Sequence, residues 1–83
     1  IVRRRTMTLD KLRINRCARI VSVDVPDRNV KRHLLEMGLT RGVEVRLKNI
    51  APLGDPISIE LRGYELAIRK ADSMFISVEV IFR

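Results

Sequence analysis

The chain contains no tryptophan, one tyrosine, two phenylalanines, one cysteine and one histidine. Each shortage removes a class of protein. A single thiol, Cys17, cannot close an internal disulfide, so a stapled secreted scaffold is excluded and a reducing cytoplasm is the simpler expectation. Strong metal ligands amount to His33 and Cys17, and a structural zinc site needs a full tetrahedral set at recognisable spacing. His33 also follows Lys31 and Arg32, whose charges oppose a cation. We expect no metal site and no cofactor, with His33 on a helix surface and Cys17 a small apolar filler. Catalysis lacks parts as well. Ser22, Ser58, Ser73 and Ser77 share a single histidine as a base, and no carboxylates pair in an apolar setting. Gly54 and Gly63 stand alone, so there is no glycine-rich phosphate loop, and the chain does not read as an enzyme. No apolar run approaches the roughly 20 residues that span a bilayer.

What is present suits one small β domain. Eighty-three residues make a single domain near the lower end of domain sizes. A chain of this length buries only about 60–65% of the surface its unfolded form exposes. Hydrophobic residues make up 46% of it, mainly Ile, Val and Leu. The β-branched members favour pleated, half-buried surfaces. Net charge is +7, but Ile1-Val2-Arg3-Arg4-Arg5-Thr6 carries three arginines and no acid. Met7 opens a run that reads like a native start. Residues 1–6 are therefore expected to be an upstream remnant, and 7–83 the domain itself.

Periodicity divides that domain. Thr8–Leu12 suits one short turn, and residues 18–25 a first strand ended by Pro26-Asp27. One helix is expected over residues 29–38. Asn29 would cap it, Val30, Leu34, Leu35 and Met37 would be its apolar face, and Gly38 its left-handed end. Residues 43–48, 57–62, 64–69 and 75–80 alternate as strands, with a hairpin or sharp bend at Gly63 and a short turn at Ala71-Asp72-Ser73. About five strands and one short helix after the first cannot form one flat sheet and must close into a small barrel. Strand edges can pair between copies, which leaves homo-oligomerisation open.

Small basic barrels can bind nucleic acid, usually with a cationic groove and exposed aromatics. Only Tyr64 is an aromatic flanked by basic residues, while Phe75 and Phe82 suit a core or a chain end. Basic residues alternate with acids, as in Glu44/Arg46, Glu60/Arg62 and Glu65/Arg69, which reads as mixed solvated faces. Nucleic acid is not an expected partner. The loop Ala51-Pro52-Leu53-Gly54-Asp55-Pro56 is more suggestive. Its two prolines limit its conformations, and Leu53 at its tip would be exposed.

At this loop a resemblance becomes visible. Residues 32–42, RHLLEMGLTRG, are similar to the helix-and-turn signature of the ferrous iron transport protein A (FeoA) family. Residues 51–56, APLGDP, and 62–69, RGYELAIR, resemble that family's next two blocks, in the same order and spacing. The resemblance implies a mostly β, SH3-like barrel. It also implies a cytoplasmic accessory of ferrous iron uptake that touches the membrane only through its partner, the cytoplasmic GTP-binding region of a large permease (FeoB-like). The same domain type occurs as a regulatory module of iron-dependent repressors, where it follows a DNA-binding region. The residues expected to meet a partner are Pro52, Leu53, Gly54, Asp55 and Pro56, with Met37 and Leu39 as a second patch and Tyr64 as core or contact.

Overall fold

Alternation of apolar and polar residues sets the strands. In the computed structural model, which describes residues 5–82, the first is β1 (Thr6–Thr8), followed by a 3-10 turn at Leu9–Lys11. β2 (Cys17–Val23) leads to helix α1 (Arg28–Glu36). Then come β3 (Glu44–Ile50), β4 (Ile57–Leu61), β5 (Tyr64–Ile68), the one-turn helix α2 (Lys70–Ser73) and β6 (Ile76–Ile81). All pairings are antiparallel, in the order β1-β6-β2-β3-β4-β5. The sheet curls around one core. Ala18, Ile20, Val45, Leu47, Ile59, Leu66, Ile76 and Val78 point into it from the strands. Leu9 and Leu12 close one side from the 3-10 turn, which also touches α2. Leu34 and Leu39 close another from α1 and the turn after it.

Two bulges bend the sheet. β2 gains one residue against β6 at Val21, because Ile20 faces Val78 while Ser22 faces Ser77. β3 gains one against β4 at Lys48, because Leu47 faces Ile59 while Asn49 faces Ser58. An extra residue on one strand increases local twist and lets a short sheet fold over itself. Past the first bulge the buried set changes phase, from Ala18 and Ile20 to Val23 and Val25. The β4–β5 connection is a two-residue hairpin. Leu61 faces Tyr64, and both central residues have positive φ, Arg62 at 49° and Gly63 at 85°. That is the primed geometry whose twist matches the strands.

Several expectations are corrected. Among the described residues there are six strands, one beyond the roughly five expected: β1 pairs with β6 through Met7 opposite Val78, a stretch too short to show periodicity. The first strand ends at Val23, where Asp24 N–H donates to Phe75 C=O. The helix begins a residue earlier than Asn29, because Asp27 caps it. The Asp27 carboxylate accepts from Asn29 N–H at 2.9 Å and Val30 N–H at 3.2 Å. Both residues are cap types, and the one two positions upstream satisfies the free donors of the first turn. Leu35, expected on the apolar face, is exposed, because the core meets α1 along the line through Val30, Leu34 and Met37. Ala71-Asp72-Ser73 lies inside α2 rather than in a turn. Phe75 is exposed rather than core. Of the segment 1–6, residues 1–4 lie outside the described residues, Arg5 C=O accepts from Val80 N–H, and Thr6 starts β1.

Candidate docking surface

The loop between β3 and β4 is held at three points. Ala51 N–H donates to Pro56 C=O at 3.0 Å, closing its base. Gly54 N–H donates to Ala51 C=O at 2.7 Å, closing the tip. The Asp55 carboxylate accepts from Lys70 N–H at 2.9 Å, tying the loop to the first residue of α2. Gly54 has φ 88°, a left-handed conformation that costs glycine little. A Cβ there would meet nothing within 4 Å, so the constraint at Gly54 comes from the backbone alone. Pro52 and Pro56 restrict the rest, and the Asp55–Pro56 peptide is cis.

This bracing holds Leu53 in water at 97% exposure. Pro52, Asp55 and Pro56 are exposed beside it, and Gly54 is half-buried. Asp55 has a structural duty as well as a surface position, through its bond to Lys70. The sequence did not reveal that link, because it joins residues fifteen apart.

The second proposed patch does not survive intact. Leu39 has no exposed surface and belongs to the core, so it offers nothing to a partner. Its burial follows from how α1 ends. Gly38 N–H donates to Leu35 C=O and Leu39 N–H to Leu34 C=O, both at 3.0 Å. That pair of bonds reverses the chain through a left-handed glycine and drives the residue after it inward. Met37 is half-buried against the core. Tyr64 also packs partly on the core, and a Cβ added at Gly38 would stand 3.1 Å from its Oη. Tyr64 is thus mainly a packing residue that seats the turn after α1.

Some charges around the barrel are matched. Arg46 pairs with Glu60 at 3.0 Å, Lys48 reaches the same carboxylate at 3.8 Å, and Arg69 pairs with Asp72 at 3.1 Å. These pairs are partly exposed, and each is worth at most about 1 kcal/mol. Among the described residues no three His, Cys, Asp or Glu side chains gather as a metal cluster. His33 is exposed on α1 and Cys17 is half-buried on β2. No helix among the described residues is long and apolar enough to cross a membrane.

Known proteins share this fold and these blocks. A profile for the FeoA domain matches residues 7–80. An Fe(2+) transport protein A/Fe(2+) transporter FeoB fusion protein of Porphyromonas gingivalis is 36% identical over 62 residues, which is 74% of this chain and 7% of that protein. This chain therefore spans only a small fraction of the fusion's length. The FeoA-like protein of Clostridium acetobutylicum superposes with a TM-score of 0.80 at 36% identity, covering 94% of this chain and 90% of its own. FeoA of Stenotrophomonas maltophilia, a prokaryotic SH3 domain protein solved with zinc, superposes with a TM-score of 0.75 at 29% identity over 87% and 88% of the two chains. The SH3-like barrel is thus established for this chain, which belongs to the FeoA family of ferrous iron transport.

Proposed function

We propose that this domain is a cytoplasmic accessory of ferrous iron uptake that docks onto the GTP-binding region of a FeoB-like permease through the loop 51–56. The domain carries out no catalytic step of its own. Leu53 is the apolar anchor, and the observation that carries the reading is its 97% exposure on a loop fastened at three points. A braced loop loses little conformational entropy on binding, so more of the contact energy appears as affinity. The fusion in Porphyromonas gingivalis supports the choice of partner, since it joins a transport protein A to a FeoB transporter in one chain. Arg46, Lys48 and Glu60 lie on neighbouring strands as paired charges suited to the rim of a contact rather than its centre.

The test is a titration of the isolated GTP-binding region of the permease with wild-type protein and with Leu53→Arg. Burying a leucine side chain is worth about 1.5–3 kcal/mol, so the variant should bind about ten- to a hundredfold more weakly. Equal affinity for both proteins would show that the loop is not the contact.

A further inference from the structure

A second concave surface shares no residue with the loop. It lies where the stretch from the 3-10 turn to β2 faces the outer end of the β1–β6 pair, and its volume is about 330 Å³. Leu12 and Phe82 form apolar walls, and Phe82 remains 58% exposed. Arg5, Lys11, Arg13 and Arg16 stand around them, and among the described residues no acidic one lines the groove. All four cations are exposed, and among the described residues none makes an ion pair.

What marks the groove is convergence: four cations meet around one concavity, whereas Arg46 and Lys48 share Glu60 and Arg69 faces Asp72. Gathering like charges raises the local potential and weakens the folded state by self-repulsion. The groove keeps this cost and adds an exposed aromatic wall. Its chemistry complements a chain that is acidic and carries an apolar side chain. Concavity also discriminates between ligands. A membrane surface is flat and meets a convex cationic face more closely, whereas a groove this wide admits a side chain. One wall is continuous with β1, the last strand of the sheet, whose outer edge can hydrogen-bond an extended backbone.

We propose that this groove binds an extended, acidic polypeptide segment, with carboxylates on the four cations and one apolar side chain between Leu12 and Phe82. The site is independent of the loop and stands whether or not Leu53 contacts a permease.

Fluorescence anisotropy on the full chain tests it, using a short fluorescein-labelled peptide in which Glu and Asp flank one Phe. Binding should saturate and weaken as salt rises. An Arg13→Glu/Arg16→Glu double variant should lose roughly tenfold or more in affinity, and Arg13→Gln/Arg16→Gln a smaller amount. Both pairs of side chains are exposed, and unchanged urea midpoints would show that the fold is intact. Replacing the peptide's Phe by Ser should weaken binding further, while Leu53→Arg should bind like wild type. The proposal is overturned if the charge-reversed protein binds as tightly as wild type, or if the Ser peptide binds as tightly as the parent. Tighter binding to phosphatidylglycerol vesicles or to a single-stranded oligonucleotide than to the peptide would equally sink it.

Discussion

Two leucines carry much of what can be learned at single positions. Leu39 and Leu53 both lie in connections next to a glycine, yet one has no exposed surface and the other is 97% exposed. A solitary exposed leucine is ordinary on a folded domain. What distinguishes Leu53 is the fastening around it, so Leu53→Arg should weaken docking without moving stability by more than about 0.5 kcal/mol in urea unfolding. Gly38 should behave oppositely. Its φ of 100° is unfavourable for any other residue, and a Cβ would stand 3.1 Å from Tyr64 Oη. Gly38→Ala is therefore expected to cost about 1–3 kcal/mol in the same assay. Adding Tyr64→Phe removes the oxygen in the way, so the double variant should recover the steric share and leave the backbone share. Tyr64→Phe relieving nothing would mean the hydroxyl already moves aside.

At the scale of elements, the caps separate what the sequence displays from what the fold selects. Asp27 and Asn29 are both good cap residues, and only Asp27 bonds the first turn of α1. Asp27→Ala should cost about 1 kcal/mol, while Asn29→Ala should be nearly neutral. Urea midpoints of the two variants decide the matter, and the reverse order would restore Asn29 as the cap. Asp55 does a similar job across a greater distance by accepting from Lys70 N–H. Asp55→Ala should cost about 1 kcal/mol and loosen the loop, read as faster amide exchange at Gly54 and Lys70. Asn at position 55 keeps an acceptor oxygen and should restore most of the loss. The strands β3 to β6 were readable because alternation is local, and the turn at Gly38 because a left-handed residue is a local requirement. β1 was not readable: three residues cannot display a period, and its pairing with β6 is made with residues at the far end of the chain.

The whole molecule depends on one small core. Ile59 is fully buried at its centre, between β3 and β5. Ile59→Ala should cost about 2–5 kcal/mol, a large part of the roughly 5–15 kcal/mol that holds a typical domain folded. Thermal melts would show it directly, and a shift within error would mean that the core relaxes around the gap. The barrel also organises charge, gathering Arg5, Lys11, Arg13 and Arg16 from both sides of β1 around one groove. In the sequence these residues look like scattered parts of a basic N-terminal third. The pairing of β3 with β4, by contrast, sets Arg46 directly opposite Glu60. By itself, the sequence determined that the chain makes short amphipathic strands, one capped helix ended at Gly38, and a proline-stiffened loop. Those features follow from backbone stereochemistry and side-chain periods that act over a few residues. Only the tertiary structure decided that Leu39 is core, that Asp55 holds α2, and that four cations share a groove. Each of these depends on which distant segments meet when the sheet closes, and no short stretch of sequence encodes that.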